Sequence, residues 1–180
     1  MKALIVYGTR YGATASTSVF ISKKLQEEGY NIRVVNAKKE KVNCISEYDL
    51  IIVGSGLQID KWTSEPEAFL NKFKKELANK KVALFVSSGA YSIIKHEEDK
   101  KAMDKAQKKY LENKAAKYLL KPVALGLFGG IWDYNQMGLI TRKAMESYKK
   151  RIENAGFKET ALGIYDTRDW DMIKTWIQEL

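Results

Sequence analysis

The chain is short of three residue types that build many sites: among 180 residues it has one cysteine, two prolines and one histidine. Cys44 alone cannot close an internal disulfide or supply a multi-cysteine metal site, which suits a reducing compartment, so a cytoplasmic location is expected. His96 stands between Lys95 and Glu97 with no ligand set at metal spacing and no serine or acid arranged around it. It reads as a solvated surface group, and neither a metal centre nor a nucleophilic triad is expected. With so little proline and no low-complexity tract, no long disordered segment is expected. No apolar run approaches the roughly 20 residues that span a bilayer, so membrane contact would be peripheral at most. The stretch Met1–Tyr7 is too short for a signal peptide and reads as a strand.

Acidic residues are also in the minority. There are 31 lysines and arginines against 22 acids, a formal net charge of +9. Such a balance favours anionic partners or a phosphorylated ligand. Nucleic acid is not the expected partner. Of the residues from Lys95 to Lys121, nine are lysines, but five acids are mixed among them. Lysines also far outnumber arginines, which base readout and bidentate phosphate contacts prefer.

The rest of the chain alternates short apolar runs with longer amphipathic ones. Strands are expected at Lys2–Tyr7, Asn31–Asn36, Asp49–Ser55, Lys81–Ser88 and Val123–Phe128, with a short extra one at Ala161–Tyr165. Helices are expected at Thr14–Glu28 with Gly29 as its stop, at Ser64–Ala78, Asp99–Leu120, Thr141–Asn154 and Asp169–Leu180. Continuous apolar strands separated by helices indicate an α/β doubly wound, five-stranded parallel sheet with helices on both faces. One domain spanning 1–180 is expected. Ligands of such sheets sit beyond the carboxyl ends of the strands, which singles out residues 8–14, 55–63, 88–97 and 129–140.

The first of these loops is Gly8-Thr9-Arg10-Tyr11-Gly12-Ala13-Thr14. It runs from a buried strand straight into a helix, which points N–H groups and the positive helix end at whatever lies above, an arrangement suited to phosphate. Gly12 allows close approach, and the Thr9 and Thr14 hydroxyls can donate. The spacing matches neither the dinucleotide G-x-G-x-x-G pattern nor the P-loop of nucleotide hydrolases.

The pattern Tyr7-Gly8-Thr9-x-x-Gly12-x-Thr14 resembles the flavin mononucleotide (FMN) phosphate loop of flavodoxins, and the resemblance runs through the chain. It implies a flavodoxin-like fold, FMN as cofactor, and a phosphate held by Thr9, Arg10, Tyr11, Gly12, Ala13 and Thr14. Ser55, Gly56, Leu57 and Gln58 match the second flavin loop, and Ser87, Ser88, Gly89, Ala90 and Tyr91 the third. Trp62 and Tyr91 are candidate stacking partners of the ring; Trp62 otherwise packs under the following helix and Tyr91 sits at the rim. Lys61, in the second loop, is expected beside the ring, where its charge would favour an anionic reduced flavin.

Two segments, Thr9-Arg10-x-Gly12-x-Thr14 and Tyr165-Asp166-Thr167-Arg168-Asp169-Trp170, resemble the branch of the superfamily that contains the menaquinone-linked protoporphyrinogen oxidases. Like that branch, this chain is basic and carries an insertion, at about 129–168, before its last helix. The insertion opens with Gly129, Gly130, Ile131 and Trp132, followed by Met137, and is expected to form a mobile apolar loop near the ring edge. Gly129 and Trp132 are counted as flavin contacts, and Trp132 and Met137 could equally pack the next helix on the sheet. The branch implies an oxidoreductase that passes electrons through FMN to a quinone or another acceptor, with a flat hydrophobic substrate. Its insertion is more strongly basic than this one. The alternative is a non-enzymatic carrier that docks redox partner proteins.

Overall fold

The computed structural model describes residues 1–58 and 60–180. Strands β1 (Lys2–Gly8), β2 (Asn31–Asn36) and β3 (Leu50–Gln58) come first; β4 (Lys61–Trp62) folds back antiparallel on β3. With β5 (Lys81–Ser87) and β6 (Ala124–Phe128) they give a parallel sheet in the order β2-β1-β3-β5-β6. The chain builds to one side of β1 through β2 and then to the other through β3. The switch in direction therefore falls between β1 and β3, and their carboxyl ends open a crevice.

Alternation along each strand decides which helices cover which face. Leu4, Val6, Ile51, Val53, Leu84 and Val86 face α2 (Ser64–Lys72), α3 (Lys74–Leu77) and the helical run from residue 100 to 117. Ala3, Ile5, Ile52 and Phe85 face α1 (Ala13–Glu27) and α9 (Trp170–Ile177), whose Ile173, Trp176 and Ile177 are buried. Each valine, leucine, isoleucine or phenylalanine buried in this way contributes about 1.5–3 kcal/mol.

The expected helix at Ser64–Ala78 divides at Phe73, whose φ of −102° leaves the helical range while its ring packs on Phe69. The residues expected as a loop after β5 form α4 (Gly89–His96) instead. Asp99 does open the next helical run, accepting the Ala102 N–H at 2.9 Å. That run is α5 (Lys100–Gln107), a wider π turn at Lys108–Glu112, and α6 (Asn113–Lys117).

The expected mobile loop at 129–140 is corrected by the structure. It holds β7 (Ile131–Asp133) and a 3-10 turn at Tyr134–Gln136, followed by α7 (Leu139–Ala144) and α8 (Glu146–Asn154). The extra strand is two strands, β8 (Glu159–Ala161) and β9 (Ile164–Asp166), split at Gly163, where φ is 72°. β7 and β8 both pair antiparallel with β9. Buried Tyr134, Ile152 and Tyr165 join Ile93 of α4 in a third apolar cluster, so the insertion has a core of its own. No described helix is long and apolar enough to cross a membrane.

Candidate functional site

A cleft of about 320 Å³ lies at the crevice. Its walls are the first loop, the β3–β4 turn, the start of α4 and the insertion, with Thr9, Arg10, Tyr11, Ala13 and Thr14 on one side.

The first loop is closed by Gly12, whose φ of 88° is left-handed, and by its N–H donating to Thr9 Oγ1 at 3.1 Å. Thr9 thus shapes the loop as well as lining the cleft. Gly12 itself does not line it. Helix α1 starts with no side-chain cap and no acid in its first turn. Its leading N–H groups and positive dipole end therefore have no built-in negative partner. Thr14 Oγ1 is buried and has no protein partner.

In the second loop Gly56 and Leu57 line the cleft, joined by Asp60. Ser55 does not. It is fully buried, donates to the Gly56 carbonyl at 2.9 Å and accepts the Thr63 N–H at 3.0 Å, so it braces the loop from behind. Trp62 does not line the cleft either. Its ring lies in the core and its Nε1–H donates to the Tyr110 carbonyl at 2.8 Å. Ile59 and the side chain of Gln58 lie outside the described residues, so the contact expected of Gln58 has no structural account. Lys61 is exposed and away from the cleft. The acid next to it, Asp60, borders the cleft instead and pairs with Lys109.

The third loop brings Ser87, Ser88, Gly89 and Ala90 to the cleft. Ser87 Oγ is buried and without a protein partner, while the Ser88 N–H donates to the Phe128 carbonyl at 2.9 Å. Tyr91 does not line the cleft; it lines two smaller cavities of about 280 and 240 Å³, the second of which adjoins the cleft through Asp60, Ser88, Ala90 and Tyr110. Tyr110, from the π turn, takes the aromatic place on this side.

The insertion forms the far wall with Gly130, Ile131, Trp132, Met137, Thr141 and Met145. Gly129 is packed behind it, where an added Cβ would stand 2.1 Å from the Thr167 carbonyl oxygen. The Trp132 indole lies directly over Gly89, since a Cβ there would come within 2.2 Å of Nε1. Tyr148 stacks on it at 5.5 Å between ring centres. Trp132 Nε1 is the third atom, on residues that line the cleft, that is buried and lacks a protein partner. Tyr134 supports this wall from below and donates to the Met145 carbonyl at 3.3 Å. Burial away from water pushes its hydroxyl pKa up to about 12.

Asp60, Gly130 and Ile131 lie in loops that the strand ends single out but were not named as contacts, and Tyr110, Thr141 and Met145 lie outside those loops altogether. No local pattern marks these last three. His96 and Cys44 are exposed, and no cluster of metal-ligating side chains exists among the described residues.

A family model described as "Flavodoxin domain" matches residues 4–158. A flavodoxin of Clostridium beijerinckii is 30% identical over 87 residues, which make up 47% of this chain and 63% of that relative. The match thus spans less than two thirds of the relative's length. Among solved structures, oxidised flavodoxin 1 of Bacillus cereus aligns with a TM-score of 0.52 and 18% identity, over 86% of this chain and 98% of that one. The rubredoxin oxygen:oxidoreductase of Desulfovibrio gigas aligns with a TM-score of 0.53 and 16% identity, over 86% of this chain and 35% of that one. At these identities the structural matches show the fold.

Proposed function

This chain belongs to the flavodoxin family, and on that premise we propose that it binds FMN in the cleft and passes electrons through it. One observation carries the proposal. Thr14 Oγ1, Ser87 Oγ and Trp132 Nε1 belong to three separate segments whose residues line one cleft, and all three are buried without protein partners. An unsatisfied buried donor costs about 1–3 kcal/mol, so a group of them in one place fits a ligand that completes them. Thr14 and the first N–H groups of α1 would hold the phosphate. Ser87 and Trp132 would donate to polar atoms elsewhere on the same ligand.

Bound flavin supplies the electron uptake and release. The protein's own residues orient the ligand and exclude water. Leu57, Ile131, Trp132, Met137 and Met145 give the cleft a largely apolar lining, which suits a flat ring. No side chain is required as an acid or base. Mass spectrometry of the cofactor released from purified protein is expected to show FMN. Release of FAD, or no flavin uptake after reconstitution, would refute the proposal.

In the finer reading the chain is an oxidoreductase that resembles the menaquinone-linked protoporphyrinogen oxidases and delivers electrons to a quinone or other flat acceptor. It is supported by the insertion, whose Trp132, Met137 and Met145 extend the cleft with apolar surface. The carrier reading is supported by Leu139 and Ile140, 86% and 88% exposed beside that wall, as a contact face for a redox partner protein. Turnover of protoporphyrinogen with a menaquinone analogue decides between them: sustained turnover selects the enzyme, and its absence in flavin-loaded protein selects the carrier.

A further inference from the structure

The side chain of Arg168 is 5% exposed and forms a bidentate pair with Asp166, its Nε 2.8 Å from Oδ1 and its Nη2 2.6 Å from Oδ2. Its remaining terminal nitrogen, Nη1, reaches across to the first turns of α1. It donates to the Ala13 carbonyl at 3.2 Å, Ser16 Oγ at 2.5 Å and Thr17 Oγ1 at 3.3 Å. Ser16 Oγ in turn lies 3.1 Å from the Gly12 carbonyl oxygen, to which it donates.

A buried guanidinium beside the positive end of a helix is electrostatically unfavourable by itself. Asp166 offsets its charge. What the guanidinium then gains is a grip on α1 from the side away from the cleft. The Ala13 carbonyl belongs to the peptide unit whose N–H is that of Thr14, and the Gly12 carbonyl to the unit whose N–H is that of Ala13. In a helix the carbonyls point toward the C-terminus and the N–H groups toward the N-terminus, here toward the cleft. Holding the carbonyl ends therefore orients the N–H ends, and donation to a carbonyl polarises the same amide and strengthens its N–H as a donor.

We infer that Arg168, held by Asp166, is a positioning residue for the anion-binding turn at Gly12–Thr14. It touches no ligand and sets the aim and strength of the donors that do. The inference rests on the reading that this turn receives the phosphate of FMN.

Riboflavin carries the same ring without the phosphate, so it separates this role from a general structural one. The apoprotein is titrated with FMN, riboflavin and inorganic phosphate, for the native chain and for Arg168→Gln and Arg168→Lys. Arg168→Gln is expected to weaken FMN and inorganic phosphate about tenfold or more and to leave riboflavin unchanged, the size expected for disturbed hydrogen bonds to a charged group. Arg168→Lys should recover a small part of the loss, because one ammonium cannot span Asp166, the Ala13 carbonyl and Ser16 together. An unchanged ratio of FMN to riboflavin affinity, whether both hold or both fall, overturns the inference. Should Arg168→Gln fail to fold, the same ratio in Arg168→Lys decides. If the native protein binds phosphate but no flavin, the FMN reading fails and the phosphate titration alone decides the role of Arg168.

Discussion

Replacing Thr14 by valine should move stability and affinity in opposite directions. The Thr14 hydroxyl is 1% exposed as a residue and has no protein partner, so the ligand-free fold carries an unsatisfied buried donor. Valine keeps the shape and the β-branch and deletes the polar atom. Removing such a group is worth about 1–3 kcal/mol to the ligand-free protein. At this chain length 1 kcal/mol corresponds to about 2–4 °C in Tm, so the apoprotein should melt a few degrees higher. A hydrogen bond to a charged phosphate is worth about 1.5–3 kcal/mol, so FMN should bind roughly ten- to a hundredfold more weakly. Differential scanning calorimetry of the apoprotein and quenching of flavin fluorescence measure the two halves. An apoprotein that melts lower than the native one, together with unchanged FMN affinity, would show that the hydroxyl serves the fold and that the phosphate lies elsewhere.

Three further outcomes are expected. Gly89→Ala places a Cβ 2.2 Å from Trp132 Nε1, so the indole must move; a loss of about 1–3 kcal/mol by denaturant unfolding and a shifted tryptophan emission should follow. Because Asp60 borders the cleft and Lys61 does not, Asp60→Asn should raise the flavin reduction potential in a spectroelectrochemical titration, more at low salt than at high, while Lys61→Glu changes it less. A larger effect at Lys61 would return the charge argument to that residue. Tyr134 has its pKa raised to about 12 against an ordinary value of 10, so the folded state holds the proton that the unfolded chain releases. Its contribution is full below pH 10 and is lost as pH rises toward 12; Tm should therefore fall less steeply over that range in Tyr134→Phe than in the native protein.

The central sheet was legible in the sequence because its signals are local. A run such as Ala3-Leu4-Ile5-Val6 has apolar side chains for both faces, and only a sheet covered on both sides accommodates it. The first loop was legible for the same reason: Thr9, Gly12 and Thr14 sit between a strand and a helix, and such a junction turns N–H groups outward. The walls of the cleft were not legible. Trp62 and Trp132 are equally plausible ring contacts in sequence. Trp62 turns inward because the π turn, nearly fifty residues later, offers the Tyr110 carbonyl to its Nε1–H. Trp132 turns to the cleft because β7 pairs with β9, more than thirty residues on, and Tyr148 backs its ring. Asp60 and Lys61 are neighbours whose facing was settled by the antiparallel return of β4 on β3. Arg168 meets the first turn of α1 across the length of the chain. Local backbone preference and apolar period are written in neighbouring residues, so sequence alone determined the five parallel strands, helices α1 and α9 and the turn that joins β1 to α1. The direction a side chain faces depends on what packs against it, and here that partner is distant in sequence, so the tertiary structure decided which residues close the site.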